Sequence, residues 1–413
     1  MDLILRKGRV LDRDIDTLFD IGVDKGRIVA IEPALAAEGE EIELGGRMVT
    51  PGFVETHIHL DKSCIIERCG PEQDGQAMAV KRVAAAKPEF TVQDVRARAQ
   101  RTLEKCILNG ATHMRTHVEV DPGVGSRGVE GVFSLVEDYK WAIDIEICVF
   151  PQEGLACNPG TEELMTAALK SGAATVVGAA PGYEEGDHNV QIDRVFELAQ
   201  EFDVDIDMHL DFGNTPDDMD ILHVCDLTEK YGYGGRVAVG HMTKLSVAPP
   251  EQLSPIVKRL ADVGVTVTVL PATDLFLMGR HQDHSVLRGV VAAHELVHAG
   301  VNCTLSTNNV LNPFTPFGDG SLIRMANMYA NVCQVNNPGD MRACFDMFTQ
   351  RSANLLRLDD YGVAVGNAAD LVVLDCDRAE AAVAENIAPL YGFKRGRRTF
   401  TRQPAQLHRP SDT

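Results

Sequence analysis

The chain is poor in positive charge. Its 413 residues carry 39 Lys and Arg against 60 Asp and Glu, a formal net charge of −21. Without clustered Lys and Arg it has no footprint for a phosphate backbone, so nucleic acid is excluded as a partner. No apolar run is long enough to span a bilayer, so no membrane partner is expected. The ten cysteines include no Cys-x-x-Cys pair, and the first residues, Met1-Asp2-Leu3-Ile4-Leu5-Arg6-Lys7-Gly8, lack the order of a signal peptide. The expectation is a cytoplasmic protein with reduced thiols. Internal repeats and low-complexity tracts are also missing. What remains is a chain with 45% hydrophobic residues, enough for one large domain or two ordinary ones.

The residues that stand out are polar and alternate with apolar ones. Glu55-Thr56-His57-Ile58-His59-Leu60-Asp61 does so strictly, as do His113-Met114-Arg115-Thr116-His117-Val118-Glu119 and Asp207-Met208-His209-Leu210-Asp211. Successive side chains on a strand point to opposite faces, so one face of each strand gathers His, Asp and Glu.

Eight strands are expected in the middle of the chain: 48–57, 112–118, 145–151, 174–179, 205–209, 236–241, 265–270 and 301–306. Helix-length segments such as 92–108 and 193–201 separate most of them. Eight such units predict a TIM (β/α)8 barrel over 51–359, with active residues where strands end. Polar residues fall there: His57 and His59, His117, Gln152, His209, His241, Asp274 and Asn308. An open doubly wound sheet is the alternative. Short strands in 1–50, with a hairpin turn at Asp24-Lys25-Gly26, and further strands at 369–374 and 398–400 predict a small β-sandwich domain built from 1–50 and 360–413. The segment 38–43 reads as a solvated acidic turn, and the helix 322–332 as core packing.

His57-x-His59 places two imidazoles on one strand face, close enough to share a metal, and His209 and His241 end later strands. Neutral imidazoles suit zinc, and a catalytic site leaves one position open for water. His117 and Arg280 are candidate substrate contacts, Arg280 because it follows a strand end and can meet a carbonyl or an anion. His281 and His284 read as solvated loop residues.

At this point the sequence resembles a family. Thr50-Pro51-Gly52-Phe53-Val54-Glu55-Thr56-His57-Ile58-His59-Leu60-Asp61-Lys62 is similar to the first-strand motif of the amidohydrolase superfamily. Phe150-Pro151-Gln152-Glu153-Gly154 and Gly366-Asn367-Ala368-Ala369-Asp370-Leu371 resemble its cytosine deaminase-like group and the isopropylammelide isopropylamidohydrolases. The resemblance implies one divalent transition metal, zinc or iron, on His57, His59 and His209, with His241 beside it. It also implies that Gln152 grips a ring's amide edge, its amide both donating and accepting.

Two departures matter. Asn308 stands where the family has a metal-binding Asp that also takes the water's proton. Phe212 stands where cytosine deaminase has a proton-shuttling Glu. Another group must move protons: Asp211, on the strand face of His209, or His241, which titrates in the useful range. Asp61 and Glu119 are expected to orient rings. The reading is a metal-dependent, cytosine deaminase-like hydrolase that cuts a C–N bond of a small nitrogen heterocycle and forms a homo-oligomer. The rival is a barrel that only binds a small ligand.

Overall fold

The computed structural model describes residues 1–69 and 75–408. The expected small-domain segment 360–413 therefore runs past the described residues at 409–413.

Eight parallel strands form the barrel, in chain order and each bonded to the next: Phe53–Ile58, Ala111–Glu119, Asp144–Phe150, Val176–Val177, Asp205–Leu210, Val237–His241, Val265–Val269 and Cys303–Leu305. Their outward faces supply Met114, Val118, Val149, Val239 and Val267 to the core shared with the helices. Inside, hydroxyls satisfy one another: Thr56 Oγ1 lies 3.0 Å from Thr304 Oγ1 and 2.6 Å from Ser306 Oγ, and Thr268 Oγ1 lies 2.8 Å from Thr304 Oγ1. The eighth strand meets the first through Asn308. Its N–H donates to the His57 carbonyl at 2.8 Å, and its carbonyl accepts from the His59 N–H at 2.9 Å.

A second, mixed sheet comes from both chain ends. Leu3–Val10 pairs with Phe19–Asp24, which pairs with Arg27–Glu32. The end of Leu3–Val10 also pairs with Met48–Pro51, which continues through Leu371–Leu374, Pro389–Lys394 and Arg397–Thr401. Leu5, Ile21, Val23, Val49, Leu371 and Phe393 form its own core. Lys394, 1% exposed, ties it to the barrel: its ammonium pairs with Asp370 at 2.6 Å and Asp144 at 2.7 Å, and donates to the Thr112 carbonyl at 3.0 Å.

The structure corrects three readings. The expected strand 48–57 is two strands that part at Gly52. A Cβ there would sit 2.2 Å from Thr112 Oγ1, so the chain crosses from one sheet to the other where only glycine fits. The expected acidic turn at 38–43 contains a strand, Glu40–Glu43, parallel to Leu3–Arg6. Arg6 pairs with Glu41, and the acidic side chains suit an exposed edge. The strand Pro389–Lys394 was not anticipated, because proline and glycine weaken its pattern.

A Gly-x-Gly-x-x-Gly run, Gly123–Gly128, follows the second barrel strand. Its amides are already used: Asp121 Oδ1 accepts from the N–H of Gly123 at 2.7 Å and of Val124 at 3.1 Å. Among the described residues no helix is long and apolar enough to cross a membrane.

Candidate active site

Three imidazoles converge at the strand ends. His57 and His59 come from the first strand and its end, and His209 from the fifth. His209 Nε2 lies 3.1 Å from His57 Nε2 and 3.1 Å from His59 Nε2. Nitrogens about 2.0–2.1 Å from a shared zinc ion stand roughly 2.9–3.4 Å apart, for angles from square to tetrahedral. The observed spacing fits that range.

A hydrogen bond at the second ring nitrogen fixes the tautomer of His59. His59 Nδ1 lies 3.2 Å from the His117 carbonyl, which can only accept, so Nδ1 carries the proton and Nε2 keeps its lone pair. His57 Nδ1 faces Asp207 Oδ1 at 3.6 Å. Burial, with the charges of the clustered rings, lowers His57 to about 3 and takes His59 and His209 well below the usual imidazole range. All three are therefore neutral, the form that coordinates.

Asn308 is fully buried, and neither polar atom of its side chain has a hydrogen-bond partner among the described residues. A buried amide without partners, next to three convergent imidazole nitrogens, fits a bound cation. The donor set suits one divalent metal with nitrogen and neutral oxygen ligands.

The expected site residues differ in placement. His241 ends the sixth strand, its ring 5.6 Å from that of His209. Its Nδ1 lies 2.5 Å from Oδ1 of the fully buried Asp274. Phe212 stands edge-on to the His241 ring at 5.4 Å. His117 stacks on His57 at 3.7 Å, fully buried, with Nε2 3.2 Å from Asp207 Oδ1. Gln152 is buried and its Oε1 accepts from Lys62 Nζ at 3.3 Å. Asp211 gives both oxygens to a helix start: Oδ1 accepts from Asp220 N at 2.9 Å, Oδ2 from Ile221 N at 3.1 Å, where helix Ile221–Tyr231 begins. Burial raises its carboxyl to about 6. Arg280 lies apart, exposed and stacked on Phe276 with its guanidinium 4.8 Å from the ring centre. His281 and His284 are exposed.

Several site residues had no assigned role in the sequence reading. Asp207 shares the strand face of His209 by the same alternation, and it links His57 and His117 to Arg115, whose Nη1 lies 3.2 Å from Asp207 Oδ2. Asp274 lay beyond the seventh strand without a stated partner. Lys62 closes the first-strand motif. Tyr183 sits in a short turn after the fourth strand, where no periodic signal marks it.

A cavity of about 320 Å³ opens beside this cluster, with Tyr183, His209, Asp211, Phe212, His241 and Lys244 among its walls. That volume suits a small ring.

Residues 40–131 and 135–400 match the amidohydrolase family. This chain belongs to the amidohydrolase family. It is thus a hydrolase of non-peptide carbon–nitrogen bonds in a superfamily that uses divalent metals. The N-isopropylammelide isopropyl amidohydrolase of Pseudomonas sp. strain ADP is 28% identical over 406 residues, 96% of each chain. The pterin deaminase of Rhizobium rhizogenes is 26% identical, covering 87% of this amidohydrolase and 82% of that protein. The structure of the 5-methylcytosine deaminase from Klebsiella pneumoniae with phosphonocytosine superposes with a TM-score of 0.92 at 28% identity, over 98% of this chain and 100% of that one.

Proposed function

We propose that this amidohydrolase hydrolyses a C–N bond of a small nitrogen heterocycle, by deamination or by ring or side-chain amide cleavage. The observation that carries the reading is the 3.1 Å convergence of three neutral imidazole nitrogens beside a ring-sized cavity. The three relatives named above, whose names specify heterocycle substrates, support it.

His57, His59 and His209 would hold zinc or iron, with the Asn308 amide as a neutral fourth donor. The ion supplies Lewis acidity, which acidifies water and polarises the carbon under attack. The chain's residues do the rest. Asp274 accepts from His241 Nδ1, which leaves the lone pair on Nε2 as the basic atom of that ring. His241 takes the proton of the attacking water and returns it to the leaving nitrogen, covering both steps that a carboxylate at 308 and one at 212 would share. Phe212 forms an apolar wall of the cavity, edge-on to the His241 ring. Asp211 serves as a positioning residue: with both oxygens on the start of a helix, it fixes the loop that carries Phe212. Gln152 orients the ring. The ten free thiols support a reducing, cytoplasmic setting.

The test is a screen of purified, metal-loaded protein for ammonia or ring-opened product across pyrimidines, triazines, lactams and hydantoins. Turnover of one class, lost in His241→Ala with metal retained, is the expected result. Cytosine should be poor, because general acid–base help of about 10²–10⁴-fold is missing at Phe212. A protein that retains metal and binds heterocycles without turning any over would instead be the ligand-binding barrel that Asn308 and Phe212 also allow.

A further inference from the structure

The fourth barrel strand, Val176–Val177, is the one whose end received no polar residue in the sequence reading. The chain after it supplies one. A short turn, Pro181–Tyr183, leads into a loop that ends at helix Asn189–Phe202. Polar groups clamp this loop at three points. Glu184, 6% exposed, accepts from Cys157 N through Oε1 and from Leu155 N through Oε2, both at 2.7 Å, and so fastens the loop to the one after the third strand. Gln191, fully buried in the helix, donates to Glu184 Oε2 at 2.8 Å and accepts from Ala180 N at 2.6 Å. His188 Nδ1 lies 3.0 Å from Asp220 Oδ2, where the next helix starts. A buried carboxylate and a buried amide are costly unless bonded, so these bonds hold the loop in one position.

Tyr183 stands inside this clamp without being part of it. Its hydroxyl is buried and has no hydrogen-bond partner among the described residues. The residue lies in the cavity wall with His209, Phe212 and His241. Burial raises the hydroxyl above its usual range, so the phenol stays protonated. The charge of Glu119, 1% exposed at the end of the second barrel strand, adds to the effect, which puts the hydroxyl on the inner side of the ring. Glu119 is not its acceptor: Oε1 pairs with Lys62 and Oε2 with Lys87 at 2.7 Å. A buried donor without a partner costs stability, and native structures seldom keep one without a reason. In a cavity wall, the partner is the molecule that fills the cavity.

We propose that Tyr183 is a specificity-determining residue: its hydroxyl donates to an acceptor atom of the bound ring, a carbonyl oxygen or an unprotonated ring nitrogen, and Glu184 is the positioning residue that holds it there. This rests on the reading above that the cavity holds a nitrogen heterocycle, and it adds a requirement. The ring carries an acceptor on the edge that faces the fourth strand, whatever the leaving group. Phenylalanine fills the same space without the hydroxyl, so packing alone does not call for tyrosine here.

The test uses the full-length, metal-loaded protein and three probes with ring carbonyls: uracil, cyanuric acid and hydantoin. Titration calorimetry should detect binding of at least one. Tyr183→Phe should weaken that binding about tenfold, on the scale of one hydrogen bond, with metal content unchanged. The Tm of the ligand-free variant should equal or exceed that of the wild type, because the free protein loses no bond. Glu184→Gln, whose amide keeps one acceptor oxygen in place of two, should also weaken the probe, but no further in the Tyr183→Phe background. A merely structural role would add the two effects. Binding of none of the probes, wild-type affinity in Tyr183→Phe, or a lower Tm of that variant without ligand overturns the proposal. Additive losses in the double variant overturn the role of Glu184. The hydrolysis screen on the same preparations separates the two claims. Hydrolysis with kcat/KM unchanged in Tyr183→Phe sinks the contact alone. Weaker binding in Tyr183→Phe with no ring hydrolysed sinks the hydrolase reading alone.

Discussion

Replacing Asp207 by Asn should loosen the metal without touching a ligand. The carboxylate stands between donors on both sides: Arg115 Nη1 at 3.2 Å from Oδ2, and His117 Nε2 at 3.2 Å and His57 Nδ1 at 3.6 Å from Oδ1. An Asn amide has one acceptor and one donor end. Turned either way, it sets its NH₂ against Arg115 or against the imidazoles, and one buried donor is stranded at a cost of about 1–3 kcal/mol. Carboxylates that orient a ligating histidine typically contribute 10–100-fold to metal affinity, about 1.4–2.7 kcal/mol. The expected result is a Kd for zinc raised by that factor, measured by competition with a chromophoric chelator. Thermal stability should fall too, because Arg115 keeps only Glu146 at 3.0 Å and Asp205 at 3.7 Å. The pH dependence has a definite sign. Burial by itself would raise the Asp207 carboxyl, but His117 and His57 outweigh it and hold the group far below the usual carboxylate range. A depressed folded pKa contributes stability above the unfolded value of about 3.9 and loses it as the pH falls below. The stability gap between wild type and Asp207→Asn should therefore stay constant from neutral pH down to about 5 and close only below about 4. Glu146→Gln, which touches Arg115 but no histidine, is the control and should keep its metal. Unchanged zinc affinity in a folded Asp207→Asn would refute the reasoning and leave Asp207 as a counter-ion of Arg115.

Three further outcomes are expected. His57→Ala combined with His59→Ala should abolish stoichiometric metal by elemental analysis, and equal metal in both preparations would remove the proposed centre. Asp211→Asn should lower kcat by less than the roughly 10²-fold of a general base, because its oxygens cap a helix; a larger loss with metal retained would restore the catalytic role. Burial raises Asp211 to about 6, above its unfolded value, so its contribution to stability is largest at acid pH and falls as the pH rises through about 4 to 6. The difference in Tm between wild type and Asp211→Asn, read at both ends of that window, should shift accordingly. Lys394→Met should cost about 3–5 kcal/mol, since it leaves Asp144 and Asp370 facing each other without their buried cation; denaturant unfolding with an unchanged midpoint would show the pair to be dispensable.

The histidine frame was legible because strands have a period of two. His57, His59 and His209 could be placed on inward faces from alternation alone, and the structure brings them to one point. What alternation does not tell is which neighbour a side chain reaches across the barrel. Asp207 and Lys62 lay inside motifs that were read, yet their partners, Arg115 and Gln152, come from other strands. Asp211 shows the converse: the correct face, but a chain that turns at a positive φ of 49° and delivers both oxygens to backbone N–H groups. Arg280 follows the seventh strand as expected, but the helix Pro271–Leu277 intervenes and carries it to the surface.

Asn308 connects the fold to the chemistry. Its backbone bonds both His57 and His59, so the spacing of those ligands is set by closure of the barrel and not by the side chain at 308. A change of that side chain therefore alters the charge at the centre while the frame stands. With Asn308 and Phe212 in place of two carboxylates, the negative charge nearest the histidines moves outward, to Asp207 behind His57 and Asp274 behind His241. The innermost ring of the site then consists of neutral imidazoles and a neutral amide, with the Lys62 cation one aromatic ring away. The centre itself then carries no charged ligand, and the carboxylate nearest the substrate cavity is Asp211 in its wall.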